Sequence, residues 1–253
     1  MQITFAGVGS AFTSREYYQS SFVLKSESGK SLLVDCGTDS RFSLGELGIT
    51  NVNVGQILDA VYITHLHADH IGGLEWLAFC TYFNPTSPRP KLFISKDLIP
   101  ALWESLKAGL QSLQECEAQL ETFFEVVPVD RTFQWEGIHF ELVPVQHVYN
   151  GDHLQPGYGI YFYVDPERSV YFSSDTMNTD LQERYRRSAK LIFHDCETAP
   201  YKSKVHAGYD DLTQLDQEIK SKMWLYHFPP NPPQNCKQDG FAGFAAKGQT
   251  FTI

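Results

Sequence analysis

Residues 64–70 read Thr64-His65-Leu66-His67-Ala68-Asp69-His70, which places four metal-ligand-type side chains within six positions. This run follows the β-rich segment Leu58–Thr64 and precedes Gly72-Gly73, so it is expected in a loop at the end of a buried strand. In such a loop alternate residues can point to one side. His65 and His67 can therefore share one ion while Asp69 and His70 turn towards a second. Imidazole with carboxylate is a donor set that suits zinc, and a catalytic ion keeps one position open. The other reading is a His-rich surface loop with no ion, which the density of ligand types disfavours.

Four ligands do not complete two sites, so partners are sought at other strand ends. His147 ends a strand read over Gly137–His147, Asp175 follows Ser169–Ser174, and His227 falls within Met223–Phe228. A lone histidine in such a place is usually structural. Three ligand types in equivalent places beside a strong primary run favour a shared centre.

Further strands are read at Gln2–Ala6, Ser21–Lys25, Ser31–Asp35, Lys91–Ser95, Phe123–Pro128, Gly159–Val164 and Leu191–His194. Helices are read at Leu74–Phe83, Asp97–Gln119, Leu181–Lys190 and Asp211–Lys222; the second carries an apolar stripe of Leu98, Leu102, Leu106, Leu110 and Leu113. Gly7-Val8-Gly9-Ser10 reads as a turn that tolerates positive φ. With no linker or repeat, residues 1–253 are expected to form one domain. Two β-rich halves, each followed by helices, imply an αββα sandwich: two mixed sheets face to face with helices on both outer faces.

The formal net charge of −10 weighs against stable nucleic-acid binding, which needs clustered Lys and Arg. A small nucleotide is compatible with it, because two bound divalent cations would dominate the local field. Five cysteines without CxxC spacing (Cys36, Cys80, Cys116, Cys196 and Cys236) read as reduced thiols. Met1–Phe5 shows no basic-then-apolar leader, and no apolar run nears the twenty or so residues of a membrane helix. A soluble cytoplasmic protein without a membrane partner is the expectation.

His65-x-His67-x-Asp69-His70 with His147, Asp175 and His227 resembles the metallo-β-lactamase superfamily. Phe5-Ala6-Gly7-Val8-Gly9-Ser10-Ala11 and Leu33-Val34-Asp35-Cys36-Gly37 narrow the likeness to the branch of the tRNA 3′-processing endonucleases (ribonuclease Z) and related phosphodiesterases. The resemblance implies one ion on His65, His67 and His147, a second on Asp69, His70 and His227, and Asp175 as bridge. It implies zinc, with manganese as an alternative. Ribonuclease Z enzymes also use a histidine after the bridging aspartate, and His206 in the stretch after Asp195-Cys196-Glu197-Thr198 is the candidate. Asp69 and His206 are thus the candidate catalytic residues. Glu197 would orient His206 or cap the following helix.

Only 27 residues separate His147 from Asp175, and two strands already claim Gly159–Ser174. That leaves no room for the substrate-gripping arm of a ribonuclease Z, so a small phosphodiester is favoured over tRNA. His65–Phe83, Asp195–Pro200 and Lys220–His227 are similar to the anti-Pycsar group of phages and bacteria. That likeness implies hydrolysis of 3′,5′-cyclic mononucleotides, such as cyclic CMP and cyclic UMP, to linear monophosphates, and a homodimer. Tyr149, Tyr158, Phe79 and Tyr82 are candidate base-stacking residues, although with aromatics at 14% of the chain most must be core.

Overall fold

Residues 1–113 and 117–253 are described by the computed structural model. Strands β1 (Gln2–Gly7), β2 (Ser21–Lys25), β3 (Ser31–Val34), β4 (Ala60–Ile63), β5 (Lys91–Ser95) and β6 (Glu125–Val129) build one sheet. A second contains β7 (Thr132–Trp135), β8 (Ile138–Pro144), β11 (Tyr158–Asp165), β12 (Arg168–Phe172), β13 (Leu191–Asp195), β14 (Met223–Tyr226) and β15 (Gly243–Phe244). The last strand, β16 (Thr250–Thr252), returns to pair antiparallel with β1. Between the sheets' strands, β9 (Tyr149–Asn150) and β10 (His153–Leu154) form a separate two-stranded hairpin.

Strand alternation builds the layers. In β3 and β4, Leu32, Val34, Ala60 and Tyr62 face the other sheet and meet Phe140, Phe162, Phe172 and Tyr226 in a central core. The intervening Leu33, Val61 and Ile63 face outward onto α4 (Leu74–Tyr82) and α5 (Ile99–Leu110) through Leu74, Leu77, Leu102 and Leu106. Both faces are covered, which is why these strands read as continuous apolar runs. Ile192, Met223 and Leu225 of the second sheet likewise meet Leu212 and Ile219 from its helices. The molecule is an αββα sandwich, as the alternation of strands and helices implied.

Several local readings are corrected. The helix read over Asp97–Gln119 covers only Ile99–Leu110, with Pro100 in its first turn, where a missing N–H costs nothing. Beyond it the chain doubles back: Ala118 N–H donates to Gln111 O at 2.8 Å, and Ser112 bridges Glu117. Residues 114–116 of that reading, Cys116 among them, lie outside the described residues. Leu181–Lys190 divides into a 3₁₀ turn (Asp180–Gln182) and Glu183–Ser188, and Asp211–Lys222 into Tyr209–Thr213 and Gln217–Lys220. Thr213 and Asp216 flank the second break and Thr179 precedes the 3₁₀ turn, residue types that compete for backbone hydrogen bonds and favour helix ends. The hairpin β9–β10 went unread because two-residue strands carry no detectable alternation.

Gly7 and Gly9 are needed for a different reason than turn conformation, since neither has positive φ. A Cβ on Gly7 would lie 2.1 Å from Gln19 O, and one on Gly9 2.1 Å from Thr13 Oγ1. Close approach, of the Gln19 backbone to Gly7 and of the Thr13 side chain to Gly9, demands glycine there rather than left-handed geometry.

Candidate metal centre

The seven ligand-type side chains meet where the two sheets share one end. His65 and His67 leave the end of β4, and His67 is the N-cap of α3 (Ala68–Ile71), whose single turn carries Asp69 and His70. His147 lies beyond β8, Asp175 beyond β12 and His227 immediately beyond β14. Three residues here adopt left-handed backbone without being glycine: Asp35 at φ 61°, Ser174 at φ 56° and His227 at φ 57°. Each sits just past a strand, where the reversal swings the next side chain or its own into the cleft. Such conformations cost of order 1–3 kcal/mol each and persist only where the surroundings enforce them.

Two overlapping groups result. One comprises His65, His67, His147 and Asp175; the other comprises Asp69, His70, His227 and Asp175; within each group the ligand atoms lie within 4.8 Å of one another. Asp175 Oδ2 is 3.8 Å from His65 Nε2 and from His147 Nε2, and 3.3 and 3.2 Å from His70 Nε2 and His227 Nε2. His67 Nδ1 lies 3.0 and 3.1 Å from His65 Nε2 and His147 Nε2, and Asp69 Oδ2 lies 3.3 Å from His70 Nε2 and from His227 Nε2. Tetrahedral donors around an ion with bonds near 2.0–2.1 Å stand about 3.3 Å apart. The observed spacings bracket that value. His70 Nε2 and Asp175 Oδ1 are moreover buried without a hydrogen-bond partner among the described residues, as donor atoms reserved for a cation would be.

The far sides of the rings are anchored. His147 Nδ1–H donates to Val205 O at 2.7 Å and His70 Nδ1–H to Asp35 Oδ2 at 2.7 Å. Thr64 Oγ1–H donates to Asp35 Oδ2 at 2.9 Å, so it accepts from His65 Nδ1–H at 3.0 Å. His227 Nδ1 lies 3.4 Å from Asp195 Oδ1. For His147, His70 and His65 these bonds direct Nε2 inward, the arrangement that raises ligand basicity and fixes the ring, whereas the Asp195 carboxylate only lies beside His227 Nδ1. Asp35 and Asp195 were quoted in the sequence only as members of longer motifs, and their anchoring role was not read. A carboxylate at the end of an apolar strand was the available signal.

Burial works against charge throughout the cluster. For His70 the carboxylates of Asp175, Asp35 and Asp69 outweigh burial and hold the imidazolium well above its ordinary range. His227 is pushed up to about 10 against burial, by Asp175 first and then Asp195 and Asp69. Burial and the neighbouring His70 instead drive His65 well below.

His206 joins the rim. Its Nδ1–H donates to Asp195 Oδ2 at 2.8 Å, and its ring lies 4.9 Å from those of His147 and His227. Asp195, not Glu197, orients this ring. Glu197 Oε2 accepts from Ser203 N at 2.9 Å, and the following helix is capped by Gly208, so neither role foreseen for Glu197 is found. Of the stacking candidates, Tyr149 is exposed on the β9–β10 hairpin, while Phe79 and Tyr82 pack onto the outer core against Phe123. Tyr158 donates to Asp97 Oδ2 at 3.2 Å. Among the described residues, no helix is long and apolar enough to cross a membrane, and Cys36, Cys80, Cys196 and Cys236 are free thiols.

A family model described as anti-Pycsar protein Apyc1 matches residues 1–251. A protein of that name from Bacillus phage 010DV004 is 32% identical over all of this chain and 98% of its own length. Another from Paenibacillus harenae is 34% identical over 90% of each. Among solved structures, the metallo-β-lactamase fold protein YhfI from Bacillus subtilis superposes with a TM-score of 0.76 at 18% identity, covering 99% of this chain and 98% of its own. A diphosphatase of the PhnP family gives 0.77 at 20%, covering 100% and 97%. Human tRNase Z, short form, gives 0.68 at 18%, covering 100% and 99%. These likenesses establish the metallo-β-lactamase fold.

Proposed function

The chain belongs to the anti-Pycsar Apyc1 family, and we propose on that footing that it is a two-metal phosphodiesterase. Its substrates are 3′,5′-cyclic mononucleotides, cyclic CMP and cyclic UMP among them, which it converts to linear monophosphates and so silences Pycsar anti-phage signalling. The observation that carries this reading is the convergence of six ligand-type side chains, three on each side of Asp175.

His65, His67 and His147 would hold one divalent cation, Asp69, His70 and His227 the other, with Asp175 shared. Zinc suits this donor set best, and manganese is the alternative. When bound, two cations so held would supply hydroxide at neutral pH and charge to neutralise the phosphate. The protein's own residues do the rest. Hydrolysis breaks one ester P–O bond, and the departing alkoxide needs a proton. His206, raised against burial by the Asp195 carboxylate, holds one at the rim of the centre. Asp195 keeps the ring's Nδ1 committed, leaving Nε2–H as the donor.

The ribonuclease Z alternative draws on the same fold. Against it stand the net charge of −10 and the insertion after His147, which amounts to the β9–β10 hairpin rather than an arm. A homodimer in the cytoplasm is part of the proposal through the family.

Metal-loaded protein is assayed on 3′,5′-cyclic CMP, UMP, AMP and GMP, with an EDTA-treated control and a tRNA precursor. Linear monophosphates lost on EDTA treatment support the reading. Cleavage of the precursor alone overturns it in favour of a ribonuclease.

A further inference from the structure

A cavity of about 220 Å³ opens on His206 and His227; Pro229, just past His227, and two further loops complete its walls. One loop follows β1 and contributes Phe12; the other precedes His206 and contributes Tyr201. Both aromatic rings stand in solvent, Phe12 at 96% exposure and Tyr201 at 71%. A singly exposed aromatic needs no explanation, but two that border one cavity beside the metal centre offer their faces together to whatever enters it.

Both rings are nevertheless held on firm backbone. Ser10 N–H donates to Phe228 O at 3.1 Å, tying the Phe12 loop to the residue after His227. Thr13 N–H closes the turn onto Ser10 O at 3.1 Å, and its side chain packs so closely over Gly9 that no Cβ fits there. The turn thus drives Ala11 and Phe12 outward. On the other side, Ser203 N–H donates to Glu197 Oε2, and Val205 O anchors His147. The two aromatic platforms are therefore positioned from the metal centre itself.

The chemistry of the wall says which part of a substrate it takes. Among the described residues lining it there is no Lys or Arg, so beyond its two histidines it holds no cation to compete with the metal centre for the phosphate. It offers aromatic faces and small apolar side chains, together with the Ser10 and Ser203 hydroxyls and the Glu197 carboxylate. Resting on the phosphodiesterase reading above, we propose that Phe12 and Tyr201 form an aromatic clamp for the nucleobase while the phosphate sits at the metal centre. Stacking of this kind accepts any base, since every base has a π-face. The clamp accordingly sets affinity for nucleotides over other phosphodiesters rather than choice among bases.

The test compares wild type with Phe12→Ala, Tyr201→Ala and the conservative Phe12→Tyr, all metal-loaded. For cyclic CMP, each alanine variant is expected to raise KM about tenfold with kcat nearly unchanged, the loss typical of one base–aromatic stack. Phe12→Tyr keeps the ring and restores the wild-type KM. On 1-deoxyribose 3′,5′-cyclic phosphate, which lacks a base, all four proteins are expected to be alike. Calorimetric binding of linear CMP reads the clamp independently of turnover. Should wild type hydrolyse no cyclic nucleotide yet bind CMP about tenfold more tightly than the alanine variants, the phosphodiesterase reading fails and the clamp stands. Unchanged KM and CMP affinity overturn the clamp. So does an equal loss on the base-free substrate, or a shift in oligomeric state on size exclusion that accounts for the loss.

Discussion

The two halves of the metal centre are built from similar donors but set in different surroundings. His65, His67 and His147 form a half-site with one exposed member, His67, and their rings are backed by a threonine hydroxyl and a peptide carbonyl. Asp69, His70 and His227 are all buried, and two of their rings are backed directly by the carboxylates of Asp35 and Asp195. A carboxylate behind an imidazole makes it a stronger donor than a neutral group does. The comparison teaches that the buried half-site is the one more strongly backed by carboxylates, while His67 leaves the other open to solvent.

Removing what the halves share breaks the comparison most completely. Asp175→Ala is expected to reduce turnover to background and to lower the metal content of purified protein at both positions. Full activity with two ions retained would show that Asp175 is no bridge. Asp69→Ala separates the halves. Turnover should vanish while elemental analysis finds one ion where wild type carries two, with an unaltered circular dichroism spectrum. Undiminished activity would place Asp69 off the second ion.

His206→Ala touches neither half directly. A fall in kcat of about 10²–10⁴-fold with little change in KM is expected of a lost proton donor. An unchanged rate returns His206 to the status of a loop residue. Asp35→Asn sharpens the contrast between the halves, because Asp35 meets His70 itself but reaches His65 only through Thr64. Affinity for the ion on the buried half should fall about 10–100-fold, with a smaller effect on the exposed half. Equal weakening in a metal titration would argue that the two are backed alike.

The smallest effect concerns the strand behind the buried half-site. His194, next to Asp195 on β13, is held neutral by burial and by the nearby Arg186, its pKa lowered to about 4. Its folded pKa lies below its ordinary value, so the unfolded chain binds the proton first as pH falls. The associated stability is fully present above about pH 6.5 and is lost progressively down to about pH 4. His194→Leu should flatten that part of the stability–pH curve in denaturant titrations. An unchanged slope would mean that other groups carry the acid sensitivity.

Legibility follows the same division within the fold. His65, His67, Asp69 and His70 lie on one short loop, so adjacency in sequence is adjacency in space, and their pairing into two groups can be read directly. His147, Asp175 and His227 were legible as ligand types at strand ends, because period and composition reveal strands and their limits. The sandwich was legible for the same reason: apolar alternation and the order of elements leave few ways to cover both faces of two sheets. Helix ends were read poorly at Asp97–Gln119 and Asp211–Lys222, where packing and turn-forming side chains decide termination.

What the tertiary structure alone decided is how those ends are turned and backed. Asp35, Ser174 and His227 take left-handed backbone that no local pattern announces, since only surrounding contacts make it tolerable. The anchoring of His206 by Asp195 joins residues 11 positions apart, and that of His70 by Asp35 joins residues 35 apart. The meeting of Phe12 and Tyr201 on one cavity joins residues 189 positions apart. Sequence records which side chains are available and at what period. Orientation between distant residues comes from closing the two sheets against each other, and that is a property of the packed whole.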